Sequence, residues 1–176
     1  MSKAIDLISE IEDKIKTVRT RSLDLSFNEL LDMYKDGELI IDPEYQRLFR
    51  WSEVQQSRFI ESLLLEMPIP PIFVIEQEEG KYELIDGLQR VSSYIHFRGE
   101  HPDYQGEEED SEKSRFLKLD GCDICESLNG LIYSTLPITL QIRLKRNFIR
   151  VEVLRKESDT RLRYHMFKRL IQAAQN

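Results

Sequence analysis

Apolar side chains recur along the first eighteen residues at intervals of three and four. This spacing places them on one side of a helix and predicts an amphipathic helix over residues 3–18. The apolar side consists of Ala4, Ile8, Ile11, Ile15 and Val18. We expect this helix to pack on the core of the domain. Pairing with a second copy, and hence a homodimer, is the alternative.

Two further helices are predicted from their capping residues. Ser26 is followed three residues later by Glu29, and Ser52 by Gln55, so each pair predicts a capping box that opens a helix. The first of these helices should end by Gly37. The second has an apolar stripe that we expect to be buried, formed by Phe59, Ile60, Leu63, Leu64 and Met67.

Short apolar runs bounded by turn residues predict the strands, which we place at residues 39–41, 72–76, 81–85 and 149–153. The second and third of these form a hairpin, and the prolines before it enforce an extended entry. Residues 138–144 alternate like a strand, whereas Pro137 suits the first turn of a helix, so both assignments stay open. A last helix is predicted from about Asp159.

Composition indicates one globular domain. The 176 residues are 40% hydrophobic, contain no apolar run of about 20 residues and begin with an acidic segment unlike a signal peptide. We therefore expect a cytoplasmic protein without a membrane segment. Seven acidic residues against one lysine between positions 100 and 114 account for nearly all of the net charge of −7. We interpret this stretch as a solvated loop, and the near-balanced remainder leaves nucleotide and DNA partners open.

Cys122 and Cys125 form a C-x-x-C pair, which supplies only half of a zinc site. No second pair exists, and the three histidines are scattered along the chain. We expect two reduced cysteines packed in a turn region, and no metal site built from them.

The segment Asp86-Gly87-Leu88-Gln89-Arg90 lies where a predicted strand gives way to a helix. Gly87 permits a sharp turn, after which the amides at the head of the helix can face an anion. Gln89 adds an amide, and Arg90 a planar guanidinium that matches phosphate oxygens. Asp86 would repel phosphate, so it is expected to hold a metal, orient Arg90 or bind a ribose hydroxyl. A plain turn beside a surface arginine is the structural alternative.

A second polar cluster, Pro43-Glu44-Tyr45-Gln46-Arg47 with Arg50-Trp51, precedes the helix that Ser52 opens. Its arginines can pair with phosphates while an aromatic ring stacks on a base. The alternative is a structural loop whose aromatic residues fill the core.

The order of these segments resembles the N-terminal domain of GmrSD-type, modification-dependent restriction proteins, which carry a DGQQR motif. The resemblance covers roughly residues 22–170 and rests on Pro43–Arg47, Arg50–Ser52, Met67–Pro71, Asp86–Arg90, Leu128–Gly130 and Leu136-Pro137. It implies an α+β, ParB/sulfiredoxin-like fold, with a small mixed sheet surrounded by helices, and it favours a helix over residues 138–144. We expect an N-terminal helix over residues 1–20 and the DGQQR-type domain over residues 21–176, incomplete at its carboxyl end relative to the family.

The resemblance also implies a function. Family members link this domain to a nuclease, whose motif this chain lacks, and to nucleotide binding and hydrolysis. The implied cofactors are a nucleoside triphosphate and Mg²⁺. The implied catalytic residues are Asp86, Gln89 and Arg90, within a nucleotide-binding set of Tyr45, Gln46, Arg47, Asp86, Gly87, Gln89 and Arg90. A non-catalytic DNA-binding or scaffolding module is the alternative. Leu88 replaces the first glutamine of the family motif, which leaves binding without hydrolysis open.

Overall fold

The computed structural model of the protein describes residues 2–17, 19–78, 80–108 and 111–155, together with 161, 164–166, 168, 169 and 172. The α-helices in these ranges are α1 (Ser2–Thr17), α2 (Phe27–Lys35), α3 (Pro43–Gln46), α4 (Glu53–Leu64), α5 (Leu88–Phe97) and α6 (Ile138–Arg146). The strands are β1 (Thr20–Ser26), β2 (Leu39–Ile40), β3 (Ile72–Glu78), β4 (Lys81–Asp86) and β5 (Phe148–Leu154). Two short 3-10 turns, Glu126–Leu128 and Tyr133–Thr135, precede α6.

The strands form one mixed sheet in the order β1-β5-β3-β4-β2. The β1/β5 and β3/β4 pairs are antiparallel, whereas β3/β5 and β2/β4 are parallel. The β3–β4 hairpin that the sequence predicts is confirmed. The predicted α+β class, with a small mixed sheet and surrounding helices, is confirmed as well.

The main core contains residues from helices α2, α4, α5 and α6 and from the sheet, including the fully buried Phe27, Ile60, Leu63, Ile72, Leu84 and Val91. A smaller cluster consists of Ile75, Ile85 and Leu154, against which Phe73 and Met166 pack. Successive residues of a strand point to opposite faces, so β3 contributes to both clusters. Both faces of the sheet are therefore at least partly covered.

Both predicted helix starts are confirmed. The Ser26 hydroxyl accepts the Glu29 amide at 3.1 Å. At α4 the box is reciprocal: the Ser52 hydroxyl accepts the Gln55 amide at 3.2 Å, and the Gln55 side chain accepts the Ser52 amide at 2.9 Å. The predicted burial of Met67 is wrong, because α4 ends at Leu64 and Met67 is 42% exposed.

The predicted packing of the first helix on the core is also wrong. Every residue of α1 is exposed, although the helix itself is confirmed. The preference for a helix over residues 138–144 is confirmed by α6, with Pro137 just before its first turn. The predicted start of the last helix, near Asp159, lies outside the described residues.

Candidate functional site

The site is built where β4 turns into α5. Gly87 lies between them with φ +108°, a conformation that side chains rarely adopt. A Cβ at this position would lie 2.4 Å from Ile72 Cγ2, so the chain passes too close to β3 for any other residue. Gly87 provides no side-chain cap, and the first amides of α5 have no partners within the helix. The turn therefore places a helix amino end, with its partial positive charge, directly after Asp86.

The Gln89 side chain binds the second motif segment. Its Oε1 accepts the amides of Arg50 and Trp51, both at 3.0 Å, and its Nε2 donates to the Leu48 carbonyl at 2.7 Å. All three partners are backbone groups of one loop. Gln89 therefore positions the loop over residues 48–51 against α5, and this contact takes its oxygen and one of its two N–H donors.

Arg90 is held in a similar way by the proline segment before β3. Its guanidinium donates to the carbonyls of Pro70 and Pro71, the latter at 3.2 Å. Burial lowers the pKa of Arg90, and the Asp86 carboxylate acts against this effect. Arg90 thus joins α5 to the segment that leads into the sheet while it carries a positive charge at the edge of the site.

The charge of Asp86 acts on the hydroxyl group of Tyr45. The buried Tyr45 hydroxyl donates to the Ile85 carbonyl at 3.2 Å. Burial raises the pKa of Tyr45 to about 12, and the Asp86 charge adds to this effect. Tyr45 is therefore a neutral phenol at physiological pH, and Asp86 is the carboxylate of the site.

These residues surround a cavity of about 710 Å³. Five of the seven residues predicted to bind nucleotide line it: Tyr45, Asp86, Gly87, Gln89 and Arg90. The other lining residues are Leu48, Arg50, Trp51, Gln55 and Leu88. Arg50 and Trp51 belong to the predicted polar cluster but were not among the predicted binding residues. The spacing of the sequence does not show that Arg50 faces the cavity and Arg47 does not. The side chain of Leu88 is 3% exposed and belongs to the core, so the departure from the family motif lies at the base of the cavity.

Gln46 and Arg47 do not line the cavity. Gln46 Nε2 lies 3.5 Å from Nε2 of the buried His101. The Arg47 side chain is 75% exposed and pairs with Glu44 at 3.3 Å. Their predicted role in nucleotide binding stays a prediction, and it would require a ligand that extends beyond the cavity.

The cysteine pair lies in a turn that packs against α4. Cys122 and Cys125 are free thiols, and Cys122 is buried, which raises its pKa to about 11. The buried Glu61 carboxylate accepts the amides of Ile124 and Cys125 at 3.2 and 2.8 Å and so fixes this turn to α4. Within the described ranges, no group of three or more histidine, cysteine, aspartate or glutamate side chains is arranged to hold a metal ion.

Fold and cavity define a small α+β domain that presents two arginines, one carboxylate and a helix amino end around a single pocket. By comparison with known families, the chain belongs to the family of the N-terminal domain of GmrSD restriction endonuclease, which it matches over residues 27–172. It is therefore a module of a restriction system. No curated protein and no solved structure gave a significant match. Among the described helices, none has the length and apolar character that a membrane crossing demands.

Proposed function

We propose that the chain binds a nucleoside triphosphate in the 710 Å³ cavity and thereby controls a nuclease partner in restriction. The observation that supports this proposal most directly is the convergence of the two motif segments on one cavity. Its volume lies in the range of small-molecule sites. The amino end of α5 and the Arg50 guanidinium supply donors for phosphate oxygens. The half-buried Trp51 offers a ring on which a base can stack.

The lining residues fit a magnesium ion that arrives with its nucleotide. Mg²⁺ in such sites is held by one or two carboxylates together with phosphate oxygens and water. Asp86 supplies the one carboxylate of the lining, too few for a metal site made of protein alone. When bound, the ion would neutralise phosphate charge. Asp86 would hold it or, in a hydrolytic reaction, orient the attacking water.

Binding is the primary activity in this proposal, and hydrolysis is secondary. The Gln89 amide is occupied by loop backbone, and much of the Arg90 guanidinium by proline carbonyls. Each group keeps only part of its donor capacity, because one N–H of the Gln89 amide and the Nε N–H and one Nη2 N–H of Arg90 take no part in those contacts. Asp86 and Arg50 are therefore the side chains on which we base the chemistry of the site.

Calorimetric titration with each ribonucleoside triphosphate and Mg²⁺ tests the proposal. Arg50→Ala removes a phosphate partner without touching the contacts of Gln89 or Arg90, and it should weaken binding by roughly tenfold to a hundredfold. Arg58→Ala, which changes an exposed arginine of α4 outside the cavity, is the matched control and should bind like the wild type. A folded sample that gives no heat with any nucleotide would refute the proposal.

Hydrolysis is tested separately by phosphate release. Asp86→Asn should abolish any turnover while a nucleotide still binds. Arg47→Ala completes the series, because loss of binding in that variant would show that the ligand reaches the outer side of the loop.

A second candidate function, binding of a DNA backbone, is favoured by a different surface. A groove of about 580 Å³ is lined by Arg143, Arg146 and Arg150 beside Phe148, which is 60% exposed. Arg150 is already paired with Asp24 at 3.1 Å. Arg143 and Arg146 alone predict a slope of about −2 for the logarithm of duplex affinity against the logarithm of salt concentration. Fluorescence anisotropy of a labelled duplex measures this slope for the wild type, and the Arg143→Ala/Arg146→Ala double variant should lose it. Wild-type binding that does not depend on salt would exclude the candidate.

A further inference from the structure

Helix α1 exposes a continuous apolar face that the rest of the described chain does not cover. None of its residues is buried, and five large apolar side chains are between 50% and 65% exposed. They are Ile5, Leu7, Ile8, Ile11 and Ile15. A soluble domain rarely leaves such a patch without a partner.

The spacing along α1 is that of a helix–helix seam. Ala4, Ile8, Ile11 and Ile15 follow one another at intervals of four, three and four, and Val18 continues the pattern in the sequence. A helix that only lies on a globular core shows a wider stripe with a period of 3.6. With Val18 included, the five positions span fourteen residues in four steps, a mean period of 3.5, which is the repeat of two helices that pack along their length. Ile5 and Leu7 lie on either side of this seam, at the two positions that border the contact between paired helices.

The charges of α1 argue against a lipid surface as the partner. Helices that lie on membranes carry a polar face rich in lysine and arginine. The polar residues of α1 include three lysines and four acidic residues, so the helix carries no net positive charge that anionic lipid would attract.

We propose that α1 pairs with α1 of a second copy of this chain. A helix of 16 residues is only marginally stable alone in water, and burial of its apolar face is what would stabilise it. Covering the five exposed side chains on two copies removes a surface on the order of 1,000 Å², the lower limit for a specific interface. The pair is therefore expected to dissociate on dilution. The α1 face contains no residue of the nucleotide cavity, so dimerisation and ligand binding can be measured independently.

Sedimentation equilibrium of the full chain tests the proposal. At concentrations on the order of 100 µM the wild type should have a mass of about 42 kDa, twice the 20.9 kDa of the chain. Ile11→Asp places a charge in the seam and should give a monomer. Ser9→Asp introduces the same charge two positions earlier, on the other side of the same helix, and should remain a dimer.

Two further measurements separate loss of pairing from loss of folding. The urea midpoint of the domain should be the same in all variants under monomeric conditions, because α1 buries nothing. Ile11→Ala, which favours a helix, should still weaken the dimer by roughly tenfold through lost apolar burial. A wild type that is monomeric at the highest concentration would overturn the proposal. This holds also if that monomer binds anionic vesicles. A dimer that survives Ile11→Asp would overturn it as well.

Discussion

Removing the Gln89 amide should loosen the loop that forms one wall of the cavity. Gln89→Leu keeps the approximate volume of the side chain and deletes three hydrogen bonds of 2.7–3.0 Å to backbone groups of residues 48–51. Each such bond contributes about 0.5–1.5 kcal/mol net. The Arg50 side chain is exposed and Gln89 is half-buried, so water can reach part of the released backbone. We therefore expect the free energy of unfolding to fall by about 2 kcal/mol, below the sum of three full contributions.

The chain contains a fluorescent probe of this loosening, Trp51. Trp51 is the single tryptophan, and its own amide is one of the three groups that Gln89 binds. Its fluorescence therefore reports the loop, while far-UV circular dichroism reports the whole fold. In Gln89→Leu the emission should shift to longer wavelength before urea is added, and both signals should then unfold at lower urea than in the wild type. Gln77→Leu, which changes an exposed glutamine bonded to Glu83, is the control and should stay within about 0.5 kcal/mol of the wild type.

Gln89→Glu keeps the hydrogen-bond acceptor of this side chain and replaces its donor by a second oxygen. The carboxylate can still accept the Arg50 and Trp51 amides, but its second oxygen faces the Leu48 carbonyl that Nε2 binds at 2.7 Å. Protonation turns this repulsion into a hydrogen bond, so the pKa of the introduced carboxyl should be raised in the folded state. The stability deficit relative to the wild type should then be present at pH 7 and shrink as the pH falls through that pKa. A Gln89→Leu variant with wild-type stability and emission, or a Gln89→Glu deficit that does not change with pH, would refute this account of the loop.

Two further predictions concern buried groups. Burial lowers the pKa of both His96 and His101 to about 4, against 6.5 for an unperturbed histidine. Between these pH values the unfolded chain therefore binds more protons than the folded chain. The free energy of unfolding, measured by urea titration, should fall by about 3 kcal/mol per histidine as the pH drops from 6.5 to 4. A free energy that does not change with pH over this range would contradict the prediction. Gly87→Ala should destabilise by about 3 kcal/mol in the same assay, because alanine must hold a positive φ and its Cβ meets Ile72. Gly37→Ala, where φ is also positive but the space is open, should lose only about 1 kcal/mol, and equal losses would show that the contact with Ile72 does not matter.

Elements with strong local signals could be predicted from the sequence. The reciprocal box of Ser52 and Gln55 specifies where α4 begins, and the two apolar runs around Gly80 specify the hairpin that delivers Asp86 to α5. In both cases the deciding contacts are between residues close in sequence. Local chemistry is then sufficient, because no distant partner has to be known.

Elements that depend on distant partners were missed. Strand β1 has only two apolar residues in alternation, Leu23 and Leu25, and it exists because it pairs along its whole length with β5, more than a hundred residues later. The same limit applies to the cavity. Whether Arg47 or Arg50 faces it depends on how Gln89 holds the loop, and that contact spans about forty residues.

The two motif segments bind each other through the side chains that looked most like ligand contacts. Gln89 holds the backbone of residues 48–51, Arg90 holds Pro70 and Pro71, and Tyr45 holds the end of β4. These contacts leave chiefly the Arg50 guanidinium, the Asp86 carboxylate and the α5 amides after Leu88 to face a ligand, since the Leu88 amide already bonds the Tyr45 hydroxyl. A substitution at Gln89 should therefore lower stability and nucleotide affinity together, whereas Arg50→Ala should lower affinity alone. If both variants lost affinity without losing stability, Gln89 would have to contact the nucleotide directly.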